Sequence, residues 1–243
     1  MFIERVSYET LIRQGNEALD AGSMPDAIDL FRRASNSAHT NIEEATALQM
    51  MSIAYSMDRD HRSARNASEA ALKLVEHDPT TSGRITRDAG MILIRHGVND
   101  SRPLMRPFLF SQAGMLFEKS TAFLGEEPGN ELEIAVTVGF VGRLQLAMKK
   151  RLAAQKIMEG ADDTIRNGYN RDYELNNLMW LIRAVPITER SALKARILPL
   201  IKQTGQTRRY DELRLIMIGG DLLYRFVDKR PWIPQLIRKV RGK

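Results

Sequence analysis

The sequence predicts an all-α fold of about six antiparallel helical hairpins, and three observations carry that prediction. Apolar residues recur at three- and four-residue spacing almost from end to end. Alternating β-branched runs are nearly absent; the closest, TVGFV at 137–141, lies inside the longer helical pattern Leu132, Val136, Gly139, Arg143. Short clusters of turn-forming residues cut the chain into roughly a dozen segments, and helices joined by such short connections must pack antiparallel.

The elements follow in order from those breakers. Successive helices are expected to be separated at residues 22–25, where glycine and proline punctuate the pattern, then at 40–42, 58–61, 78–83 and 97–103. At the last of these, Ser101 supplies a side-chain acceptor for the next helix and Pro103 falls in its first turn, where the missing N–H is harmless. A longer connection covers 125–130, and Asn130 with Glu131 and Glu133 puts negative charge at a helix's positive end. Further breaks fall at 167–170, at 185–188, where Thr188 stands ahead of ERSALKARILPLI, at 205–207 and at 228–231.

A chain of 243 residues, 43% hydrophobic and 27% charged, has the composition of a globular protein with a sizeable core. The absence of cysteine excludes disulfides, thiolate catalysis and cysteine-ligated metal, and fits a reducing compartment. Glu4, Arg5, Glu9 and Arg13 interrupt the amino-terminal apolar residues, so no signal-peptide core is expected there. No later run approaches the ~18 apolar residues of a membrane span. The expectation is a soluble, cytoplasmic protein.

The net charge of +6 is unevenly spread. Residues 1–122 carry 14 basic and 16 acidic groups, 123–205 carry 12 and 10, and 206–243 carry 10 and 4. The excess therefore belongs to the carboxyl end.

Small residues repeat with a period of roughly 37. Gly15, Ser52 and Ala89 take one place in three successive first helices, with Leu11, Leu48 and Ile85 a turn before them. In the second helices Ala27, Ala64 and Ser101 correspond, then Phe31, Ser68 and Met105, then Ala34, Ala71 and Phe108. The pattern resumes with Gly142 facing Ala154, Met158 and Ala161, then with Met179 facing Ser191, Ala195 and Leu198. A pair over 208–227 and 231–240 closes the array.

This arrangement resembles the tetratricopeptide repeat family, whose unit is a helical hairpin with a small residue in the first helix facing two alanines in the second. The resemblance is carried chiefly by residues 11–34 and 48–71. It implies a right-handed α-α superhelix, a TPR-like solenoid forming one domain over 1–243: better-matched repeats over 1–124, further hairpins over 125–205, and a basic capping hairpin over 206–243. Its departures are a period above the usual 34 residues, a helix-ending proline only at Pro79, and Gln14 at a place that is usually apolar. Asn16 and Arg87 match two places of the clamp with which such domains grip chaperone carboxyl termini, but Ile12 and Met50 stand where a lysine and an asparagine belong, which rejects that ligand.

In a stack of hairpins the first helices line a concave groove. Their outward faces carry Arg13 and Asn16, then Gln49, then Arg87, then Arg143, then Tyr173, Asn176, Asn177, Trp180 and Arg183. Amides bond both sides of a peptide backbone, arginines grip carboxylates, and Trp or Tyr anchors an apolar side chain. The expected function is thus non-catalytic binding of a protein or peptide segment, with acidic character, by an adaptor or regulator. No cofactor or metal is expected, because no phosphate loop, nucleophile elbow or helical metal pair occurs. His39, His61, His77 and His96 read as solvated or helix-end residues.

Two other surfaces offer alternatives. FLFSQAGMLFEKSTAFLG, residues 108–125, reads as core, or else as the contact of a homo-oligomeric assembly protein. The carboxyl end sets Trp232, Ile233, Leu236, Ile237 and Val240 beside Arg230, Arg238, Lys239, Arg241 and Lys243. It reads as a capping helix whose basic residues suit the helix's negative end; the alternatives are a basic amphipathic helix that meets an acidic partner, an anionic lipid surface or nucleic acid, or a helix for self-association.

Overall fold

The computed structural model describes residues 6–99, 102 and 104–217, and every regular element among them is helical. The chain divides into two compact units, residues 1–148 and 149–243.

The first unit holds α1 (Tyr8–Ala21), α2 (Met24–Ser37), α3 (Asn41–Met57), α4 (His61–Leu74), α5 (Pro79–Asn99), α6 (Met105–Gly125) and α7 (Glu131–Ala147). Side-chain caps start four of them, Asp78 serving α5 through the N–H of Thr81. Ser7, Thr40 and Asp60 accept hydrogen bonds from the backbone N–H of Thr10, Glu43 and Ser63, satisfying donors that a helix start leaves unpaired. Consecutive helices pack as the hairpins α1/α2, α3/α4 and α5/α6, and the first helices also meet one another, α3 against α5 and α5 against α7.

The small-residue pattern marks the helix crossings in the first two hairpins. Gly15 lies directly on the ring of Phe31, which clusters with Ala27, Ile28 and Ala54, while Leu11 packs with Ala34 and Ala47. Ser52, Ala64, Ser68 and Ala71 are likewise buried. The third hairpin differs. Both its helices run 21 residues, so the partner of Gly90 is Phe117 rather than Met105, and Ala89, the expected position, is half-buried beside it. Gly83, Gly90 and Gly97 face Leu124, Phe117 and Phe110, one pair every seven residues. The expected break over 78–83 is also shorter than foreseen, since Asp78 accepts from Thr81 N–H and α5 begins at Pro79. The next helix starts at Met105 behind Leu104, later than the expected start.

The second unit holds α8 (Arg151–Asn167), α9 (Arg171–Ala184), a 3-10 turn at Ile187–Glu189, α10 (Arg190–Thr204) and a helical run over 208–217, here α11. α9 packs against both α8 and α10. Ala154, Met158, Ala161 and Met179 are buried as expected, and Ile165 is buried with them. α10 corrects the alignment: Ser191, Ala195 and Leu198 are exposed, while Arg190, Ile197, Leu200 and Ile201 are buried, a one-residue shift of the inner face that follows from a shorter repeat.

Six described residues lie in the left-handed region, Gly129 and Gly205 among them. Gly22 does so between α1 and α2 at φ 80°, Arg59 between α3 and α4 at 69°, and Tyr169 between α8 and α9 at 55°. Lys149, at φ 65°, ends α7 and marks a break that no glycine or proline announces in the sequence.

Candidate functional site

The first helices of the first unit are tied together by a polar ladder. On α3, Gln49 donates through Nε2 to Asp88 of α5. On α5, Arg87 donates to Asp88 at 3.5 Å and to Glu133 of α7 at 2.5 Å, and Arg84 lies 3.7 Å from the same Glu133. Phe140 of α7 receives two guanidiniums on its ring, Arg143 at 4.0 Å and Arg87 at 5.4 Å. Gln49, Arg87 and Arg143 are all buried. A buried charge is tolerated only where it is paired and hydrogen-bonded, and the carboxylates and the aromatic face supply those partners.

In the second unit the corresponding arginine is Arg183 of α9, 2% exposed. It donates to the carbonyl of Met179 and to Glu212 of α11, and it stacks 4.5 Å from the ring of Trp180. Burial pushes the Glu212 carboxyl up, but Arg183 and Arg209 beside it prevail and hold it below the usual carboxylate range. Asn177 donates to the carbonyl of Met158 at 3.3 Å, which fixes α9 on α8. Arg196 of α10 joins Asp162 of α8 at 2.9 Å and Glu174 of α9 at 3.6 Å, and Arg171 bonds Glu174 at 2.7 Å.

The expected groove residues thus fall into three groups. Gln49, Arg87 and Arg143 come together in one buried cluster, and Asn177 and Arg183 are buried within the second unit. Tyr173, Asn176 and Trp180 are half-buried and share one face of α9 by their three- and four-residue spacing. Arg13 and Asn16 are exposed on α1, where Arg13 pairs with Glu17 at 2.7 Å. The basic residues Arg230, Arg238, Lys239, Arg241 and Lys243 lie outside the described residues, as does the pair expected over 208–227 and 231–240 beyond residue 217.

Sequence reasoning missed the acidic partners. Asp88 stands 39 residues after Gln49, Glu133 46 after Arg87 and Glu212 29 after Arg183. For the two arginines the signal was an acidic residue 46 and 29 positions further on, in a later helix. It also missed a pair of helix-end histidines, His61 and His96, whose rings stack at 4.3 Å. Among the described residues no group of three or more acidic or histidine side chains is placed to hold a metal, and no helix is long and apolar enough to cross a membrane.

No family model matches the chain, and no curated protein matches it. Among solved structures it is similar to two of nearly identical TPR-like repeats from a Podosopora anserina kinesin light chain candidate. One, a point-substituted form, is 11% identical with a TM-score of 0.49, over 82% of this chain and 96% of that one. The other is 10% identical with a TM-score of 0.47, over 87% and 96%. In its own packing the chain is an all-α protein of TPR-like helical hairpins, with consecutive helices paired and small residues at the crossings.

Proposed function

We propose that the chain is a non-catalytic module that binds a protein or peptide segment on its first helices. The observation that carries this reading is the face of α9, where Tyr173, Asn176 and Trp180 stand half-buried in a row. Trp180 is held by Arg183, itself held by Glu212, so the ring is fixed before any ligand arrives. A rigid aromatic with an amide beside it is the composition of an interface anchor, and pre-organisation lowers the entropy cost of binding. Arg13 and Asn16 on α1 extend the same role to the first unit.

A photo-crosslinker at position 176, compared with one at Gly160 on α8, tests the reading in native lysate. Capture of a partner from 176 and not from 160, and its loss on Trp180→Ala, supports it. Equal capture from both positions refutes it.

A second reading rests on α6. Leu104, Phe108 and Met115 are 90%, 56% and 66% exposed and recur at helical spacing along one stripe, while Leu109, Phe110, Ala113 and Phe117 are core. Self-association through that stripe would appear as a concentration-dependent mass in light scattering, abolished by Phe108→Ser with Met115→Ser.

A further inference from the structure

Among the described residues of the second unit, several arginines are engaged internally whereas the lysines stand exposed. Arg166 pairs with Asp163, Arg171 and Arg196 with Glu174, and Arg183 and Arg209 with Glu212, while Arg214 stands exposed. Arg190 is buried on the carbonyl of Ile216. Its lysines behave differently. Lys149, Lys150, Lys156, Lys194 and Lys202 are all exposed, and none makes an ion pair among the described residues. The imbalance is large. Residues 149–243 carry 21 Lys and Arg against 10 Asp and Glu, whereas residues 1–148 carry 15 against 20.

Position adds to charge. Asn177 of α9 bonds Met158 of α8, and the two helices pack antiparallel, so the start of α8 with Lys149 and Lys150 lies toward the end of α9 that carries Trp180. Of the carboxylates around α9, Glu174 and Glu212 are neutralised by arginines, and Asp172 accepts from Gln206 at 2.7 Å.

We infer that the segment bound on α9 is acidic: a carboxylate-rich peptide with one large apolar side chain, which seats on Trp180 while the exposed lysines draw in its charge. This rests on the α9 reading above. It alters the expected mode of recognition, because arginines already committed to Glu174 and Glu212 do not fork onto the ligand. Lysine is a compact charge on a flexible stem, so it attracts carboxylates without fixing their register. Such recognition speeds encounter and weakens with salt.

The test uses the full chain and fluorescence anisotropy. Three probes are compared: a fluorescein-labelled peptide of glutamate and serine around one leucine, the same peptide with glutamine for glutamate, and a uridine oligomer. The acidic peptide is expected to bind about tenfold more tightly than the glutamine peptide at low ionic strength, and to lose about that advantage at physiological salt. Lys149→Glu with Lys150→Glu removes the advantage and leaves the glutamine peptide unchanged, whereas Trp180→Ala weakens both; circular dichroism confirms the helix content of each variant. Equal affinity for the two peptides, still dependent on Trp180, overturns the acidic partner and leaves the α9 reading standing. Binding of either peptide that ignores Trp180, or of neither, overturns both. Tighter binding of the uridine oligomer assigns the lysines to nucleic acid and overturns the inference.

Discussion

Gly90 of α5 lies against the ring of Phe117 on α6, so closely that a Cβ at Gly90 would fall 2.6 Å from Cε1 of the ring. Gly90→Ala must therefore displace a fully buried side chain and is expected to cost about 1–3 kcal/mol. Gly160, in α8, supplies the opposite case: nothing lies within 4 Å of its Cβ position, so Gly160→Ala gains helix propensity of roughly 0.5–1 kcal/mol. Urea midpoints of the two variants should move in opposite directions.

The ladder between α5 and α7 predicts strong coupling. Arg87→Met leaves Glu133 without its closest partner and is expected to destabilise by about 3–5 kcal/mol, while Arg87→Met with Glu133→Leu recovers much of the loss. A double-mutant cycle in denaturant reads the difference, and additive effects would show that the pair is not coupled.

Glu212 gives the acid limb of stability. Its folded pKa is depressed, so its contribution is fully present above the unfolded value of about 4.3 and is lost as pH falls through the lower folded value. Glu212→Gln should be less stable than the parent at neutral pH and flatter between neutral and acid. Thermal midpoints against pH show whether the two curves converge below the carboxylate range, as expected.

Arg59 and Tyr169 hold positive φ in turns where Gly22 does so without a side chain. Arg59→Gly and Tyr169→Gly should each stabilise by roughly 0.5–1 kcal/mol, the relief of left-handed strain less the added entropy of the unfolded chain. Gly22→Ala should cost a similar amount. Thermal unfolding of the three variants is the measurement.

The hairpins were legible because they depend on local signals. Gly22 with Pro25, Asn167 with Asn170 and the buried set Gly15, Phe31, Ala27, Ala34 are each set within one hairpin. The turn at Lys149 was not legible, since a left-handed lysine lacks the signature of a turn residue and only packing selects it. The site was legible in residue type but not in environment. Gln49, Arg87 and Arg183 stand on the expected helices, yet their burial depends on carboxylates supplied by other helices, which a face-by-face reading of single helices does not see. The lengthened third hairpin escaped for a related reason. A fixed repeat length misplaces every equivalence once two helices outgrow it.

The evenly spaced glycines of α5 carry one more implication. Gly83, Gly90 and Gly97 oppose Leu124, Phe117 and Phe110, so a slide of α6 by seven residues would again set a bulky side chain on a bare backbone, as Phe117 on Gly83 and Phe110 on Gly90. Shape alone leaves this hairpin with nearly equivalent alignments, like a rack whose teeth are all alike. What distinguishes the native one is polar: Ser120, buried, donates to the carbonyl of Gly83 at 2.7 Å, and Asn130 reaches from the start of α7 to Thr80 at 2.9 Å and to the carbonyl of Leu124 at 3.1 Å. Two short side chains thus act as the pins that select one notch among several.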